Sequence, residues 1–249
     1  VNAARGIAVQ AQTAIGQFSN NFQTALNPQI TKSYATGDRE YMHSLIFRSA
    51  KFSFFLLLFL SLPILIETKA ILTLWLKIVP DHTVVFLRIM LCTTWVYAIS
   101  NPLITAASAT GKIKLYQSVV GGLLLLILPI SYLCLRLGLP AYSVFIVHLG
   151  MEITAQFARL WMLRRMIRLS LREYFTKVIW RISKVTIIAL AAPLAVAYWL
   201  PGEEIWNLLT ICLICAISTS MSVYWFGLTS GEKIYISSRV SSIVSKFRI

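Results

Sequence analysis

Residues 44–66 read SLIFRSAKFSFFLLLFLSLPILI, and after Lys51 the run carries no charge before Glu67. At about 1.5 Å per helical residue such a stretch spans the roughly 30 Å hydrocarbon core of a bilayer. Six other stretches of similar length join it, giving expected spans at 4–27, 44–66, 84–104, 115–137, 141–163, 178–200 and 205–228. Helices are the expected form, because backbone amides in lipid must be satisfied within their own segment and no alternating barrel pattern occurs. The chain therefore reads as an all-α integral membrane protein. The expected architecture is a polytopic bundle of about seven transmembrane helices over 1–228, followed by a basic tail at 229–249.

Composition agrees with that reading. With 57% hydrophobic residues and a mean hydropathy of +0.73, the chain has more apolar surface than a soluble domain of its size can hide. Positive charge exceeds negative by 14, and it falls into alternate connections. Lys32, Arg39, Arg48 and Lys51 accompany the first connection, Lys112 and Lys114 the third. The fifth is richest, running from Arg159 through Arg164, Arg165, Arg168 and Arg172 to Lys184, and the tail adds Lys233, Arg239, Lys246 and Arg248. Cytoplasmic loops retain Lys and Arg, so those ends are expected inside, with the C-terminus cytoplasmic and the first residue outside. The opposite connections hold Lys69, Lys77, Arg136 and the pair Glu203 and Glu204. The opening Val1-Asn2-Ala3, without an initiator Met or signal peptide, reads as a piece of a longer polytopic protein.

The first span is the least lipid-like. At 100° per residue, Arg5, Gln12, Ser19, Asn20, Gln23 and Asn27 cluster on one side, flanked by Gln10, Gln17 and Asn21, while Ile7, Ile15, Phe18, Phe22 and Leu26 take the other. So many amides would not face acyl chains. They serve either as glue between helices or as the wall of a water-filled cavity. In the fifth span, His148, Glu152, Gln156 and Arg159 share a face, and Glu152 is the one carboxylate deep in an expected span. It is either half of a structural His148–Glu152 pair or a group for proton relay, ion binding or substrate contact. Arg88, near the start of the third span, either borders the lumen or snorkels outward.

Prolines add possible hinges: Pro28 and Pro102 near span ends, and Pro63, Pro129 and Pro193 within spans. Gly121-Gly122 and Ala106, Ala107 and Ala109 suggest close helix contacts. Ser170-x-x-Glu173 has capping-box spacing. The segment from Glu67 to Val79 is expected to lie along the membrane surface. Cys212-x-x-Cys215 has metal spacing, yet Cys92 and Cys134 are isolated and no His cluster accompanies them, so neither a zinc site nor a disulfide framework is expected. No Walker loop, dinucleotide fingerprint, HExxH or nucleophile elbow occurs, so the sequence asks for no cofactor or metal and offers no catalytic residues. The basic run from Arg159 joins two spans, and attraction to membrane lipids explains it without nucleic acid.

Three passages carry a resemblance: Ala25-Leu-Asn-Pro-Gln-Ile-Thr-Lys-Ser-Tyr-Ala-Thr-Gly-Asp38, Leu74-Trp75-Leu76, and Ala109-Thr-Gly-Lys-Ile-Lys114. They resemble the polysaccharide flippases of the MATE-like (MOP) superfamily, in particular the Wzx-type flippases of O-antigen and capsule repeat units. Essentially the whole chain is similar to that family's C-terminal lobe lacking its first helix, with the N-terminal lobe absent. The resemblance implies alternating access to a central cavity in the bacterial inner membrane. The cargo would be an undecaprenyl-pyrophosphate-linked oligosaccharide, moved toward the periplasm. In that setting Arg5 and Arg88 would attract the pyrophosphate, and Gln12, Asn20 and Gln23 would bond sugar hydroxyls. His148 and Glu152 are the expected ion-coupling groups. A cation-coupled multidrug exporter of the same superfamily and a membrane-embedded glycan polymerase or ligase are the rival readings.

Overall fold

A computed structural model describes residues 1–199 and 205–234. Leu200, Glu203, Glu204 and the tail beyond Ile234, including Arg239, Lys246 and Arg248, lie outside the described residues. Among those described the chain is all-helical. The helices are α1 (Asn2–Ala35), α2 (Arg39–Ile66), α3 (Thr68–Leu76), α4 (Thr83–Ala109), α5 (Ile113–Arg136), α6 (Ser143–Met166), α7 (Leu171–Trp199) and α8 (Ile205–Gly227). Five of them, α2, α4, α5, α7 and α8, are long and apolar enough to cross a membrane. The other two long helices, α1 and α6, fall in the expected first and fifth spans but are set apart by amides and charges. α1 also overruns its expected end at Asn27, continuing helically through Pro28 to Ala35.

Local signals start and stop these helices. Asp38 caps α2, its Oδ1 accepting from the Tyr41 amide at 3.0 Å, and Ser170 caps α7 in the same way through the Glu173 amide at 3.3 Å. Each satisfies one backbone donor that the first turn leaves without a partner. The short α3 buries Thr68 and Leu72 and leaves Leu74 and Trp75 exposed, the division expected of a helix lying on a surface.

α4 is the centre of the bundle, packing against α1, α2 and α6. α5 lies outermost on α6, and α7 and α8 pair with each other and attach to α2. One core joins Ile46, Phe54 and Leu58 of α2 to Leu103 of α4, Leu163 of α6 and Tyr174 and Val185 of α7. A second gathers Ala4 and Ala8 of α1 with Leu57, Leu72, Phe86 and Leu91. Ala106 and Ala107 are fully buried, as expected of residues at close helix contacts. Gly121 and Gly122 do not share that role: a methyl added at either would meet nothing within 4 Å.

Prolines shape the helices in two ways. Pro129 cannot donate to the Leu125 carbonyl, and α5 breaks its regular winding at Leu126 beside it. Pro102 and Pro193 instead lie inside continuous helices and release the carbonyls of Ala98 and Ala189. Both released oxygens are bonded by a neighbouring helix. Gln23 Nε2 of α1 donates to Ala98 O at 2.6 Å, and Ser218 Oγ of α8 donates to Ala189 O at 3.1 Å. A membrane interior demands such replacement partners, because no water is there to supply them.

Candidate functional site

α1 carries polar side chains around much of its circumference, and the bundle divides them. On the side facing α4 and α2, Gln12 Nε2 donates to Thr94 Oγ1 at 2.8 Å, and Ser19 Oγ donates to Ser53 O at 3.4 Å. Asn27 Oδ1 accepts from Thr105 Oγ1 at 3.0 Å, and Gln23 is wholly buried on Ala98 O. These groups are the interhelical glue that polar residues supply in membrane bundles. On the opposite side Gln10, Thr13, Gln17, Asn20, Asn21 and Thr24 are all exposed, and Gln17 reaches Asn21 Oδ1 at 3.3 Å one turn on. That exposed face is the candidate site.

The expected wall of Arg5, Gln12, Asn20, Gln23 and Arg88 is thus corrected. Arg5 and Asn20 are exposed as expected, whereas Gln12 is half-buried and Gln23 has no exposed surface. The wall is rotated by roughly 100° about the helix axis, the angle of one residue, toward Gln10, Gln17 and Asn21. Arg88 belongs elsewhere: its Nε donates to Thr68 Oγ1 at 3.0 Å and its Nη2 to Ile66 O at 3.1 Å, closing the C-terminal end of α2. It acts there as a cation on the last carbonyls of a helix.

A second polar cluster lies inside the bundle on α6. Glu152, 5% exposed, pairs with Arg159, 2% exposed, at 3.2 Å across two helical turns. Arg159 Nη1 donates to Ser100 Oγ at 3.1 Å, and Ser100 Oγ donates to Gln156 Oε1 at 2.6 Å. Gln156 Nε2 reaches Tyr174 Oη at 3.4 Å, and that hydroxyl donates to Ile99 O at 3.4 Å. The chain of bonds ties α6 to α4 and α7, and the carboxylate is compensated by a guanidinium buried beside it. His148 takes no part: it is exposed, and the expected His148–Glu152 pair is replaced by Glu152–Arg159. Ser100 and Tyr174 escaped sequence reading because they come from other helices, with nothing local to mark them.

The basic ends of the helices gather at one end of the bundle, where His43 Nε2 lies 3.1 Å from the Ile167 carbonyl. A cleft of about 480 Å³ there is lined by His43, Arg48, Lys51, Lys177, Glu173 and Glu232. Lys51 is 2% exposed and holds Glu232 at 2.9 Å, while Arg48 stands 3.9 Å from the same carboxylate. Burial pushes the Glu232 carboxyl up, but bonds from Lys51 and from the Thr229 amide outweigh it and hold it below the usual carboxylate range. In the sequence Lys51 belongs with the basic first connection, and nothing local marks its partner, since Glu232 lies beyond α8.

No protein-family model matches the chain, and comparisons with curated proteins and with solved structures also return no match.

Proposed function

We propose that this bundle is the C-terminal lobe of a Wzx-type polysaccharide flippase, which carries a lipid-linked oligosaccharide across the bacterial inner membrane by alternating access. The observation that supports it is the exposed amide face of α1. In lipid each unmatched amide would cost energy. Its place is therefore beside water, and a wet passage closed by a second lobe of the same protein supplies it. Amides and hydroxyls on a rigid helix suit sugar hydroxyls, and Arg5, exposed near the start of the same helix though off this face, suits a pyrophosphate. Gln10, Gln17, Asn20 and Asn21 replace Gln12 and Gln23 as the sugar-bonding groups. The basic end of the bundle is cytoplasmic in this reading, and α1 and α6 complete seven crossings.

Ion coupling falls to Glu152, with Arg159 as the counter-charge: a proton or cation taken up by the carboxylate frees the guanidinium. That same compensation weakens the exporter alternative, which needs an acidic group open to a cationic drug.

The test uses the full-length transporter. Joint replacement of Gln17, Asn20 and Asn21 by Leu is expected to abolish surface glycan while the amount of protein in the membrane is unchanged. Arg5→Ala is expected to lower glycan display in part. Normal display by the triple variant would remove α1 from the transport path and the proposal with it.

A further inference from the structure

Near the basic end of α7 and α8 two cavities meet. One, of about 460 Å³, is an apolar groove between the helices, lined by Ile188, Ala191, Ala192, Ile217 and Met221. The other, of about 290 Å³, is lined by Thr176, Trp180, Arg181 and Lys184. Trp225 and Phe226 line both, so the apolar groove and the cationic cavity adjoin at these two rings, and together they are called the cleft, with an apolar limb and a cationic mouth.

The backbone is built unusually at this place. α7 widens to π winding over Phe175–Ile179, and α8 does so over Val223–Gly227. Such single wide turns concentrate at functional positions. Here one carries Thr176 and the other carries Trp225 and Phe226, on opposing walls of the mouth. Gly227 lets the second turn approach α2 closely: a Cβ there would stand 2.8 Å from Phe55 Cε2. The Gly227 carbonyl then accepts from Arg181 Nη1 at 3.3 Å, which fixes the guanidinium at the mouth of the cleft. Lys184 Nζ lies 4.8 Å over the Trp180 ring, its charge held beside an aromatic platform.

We propose that this cleft binds one anionic phospholipid of the surrounding bilayer. Its phosphate lies between Arg181 and Lys184, and an acyl chain fills the groove beside Ala191 and Ala192. Charge selects the headgroup: a zwitterionic lipid would place its own cation against Lys184. Small side chains make room for the chain, and the exposed Ile217 and Met221 open the groove to bilayer. The site stands apart from the amide face of α1 and does not depend on what that face carries.

The experiment is native mass spectrometry of the complete chain purified in detergent and incubated with phosphatidylglycerol or phosphatidylcholine. Wild-type protein is expected to retain phosphatidylglycerol several-fold more than phosphatidylcholine. Lys184→Gln, an exposed position that leaves the fold intact, is expected to remove most of that preference, and R181Q/K184Q all of it. Ala192→Trp is expected to reduce retention with both cations in place. Equal retention of the two lipids would overturn the proposal, as would an unchanged preference in Lys184→Gln. Loss in the charge variants without loss in Ala192→Trp would reduce the cleft to a charged surface and overturn it too. So would displacement of the lipid by inorganic phosphate alone, since the acyl limb would then contribute nothing.

Discussion

α1 and α5 both stand at the edge of the bundle with one side uncovered, and the two sides are opposite in character. α5 shows Leu115, Leu125, Leu128, Tyr132 and Leu135 with Gln117 and Ser118 near its start, while α1 shows Gln10, Gln17, Asn20 and Asn21 with Val9 and Phe18 at the margins. Both faces turn away from the core, so packing did not choose their chemistry; what lies beyond them did. Hydrocarbon fits the first and water or protein the second. The outer surfaces of a bundle can therefore differ in what they suit, hydrocarbon for one and water or protein for another.

The largest effect that separates the two faces is a charge placed on each. Leu128→Arg is expected to weaken membrane insertion by about 3 kcal/mol, the cost of an arginine near a helix centre. Thr13→Arg on α1 is expected to insert normally. Equal losses, read from carbonate-resistant membrane protein, would erase the distinction between the helices. A smaller difference divides α1 itself. Gln23→Leu orphans the Ala98 carbonyl and is expected to cost about 1–3 kcal/mol, seen as a lower melting temperature in detergent. Gln17→Leu, six residues earlier on the exposed side, is expected to leave the melting temperature unchanged. Smallest is Ser218→Ala, which removes the donor to Ala189 O beside Pro193. A half-buried neutral bond of this kind is expected to contribute about 1 kcal/mol, and the loss should vanish if Pro193→Ala restores a backbone donor. Persistence of the loss in the double variant would mean that Ser218 acts through packing rather than through the released oxygen.

The helices were legible in the sequence because membrane thickness sets a length and lipid sets a composition, both properties of a contiguous stretch. Each expected span overlaps a helix, and Asp38 and Ser170 cap where short-range chemistry says they should. The division of α1 was not legible. On a helical wheel Gln12, Asn20 and Gln23 fall in one arc, and only the position of α4 shows that its edge passes between them. The relevant contact, Gln23 to Ala98, crosses 75 residues of sequence. A joint reading could have found it: Pro102 announces a freed carbonyl four residues earlier, and a buried amide elsewhere is the natural donor. Of the stripe on α6, Glu152, Gln156 and Arg159 are buried and His148 is exposed, because spacing gives the face but not how far along it the neighbouring helices reach.

The bond between Gln23 and Ala98 also bears on how such a lobe would move. Pro102, two turns before the end of α4, removes one of the backbone bonds that stiffen the helix, and the amide of the adjoining helix replaces it from outside. Bending α4 at that point would tear the replacement away, so α1 and α4 travel as one lever. Movement within the bundle would then fall at its other seams, and the exposed amides of α1 would keep their spacing.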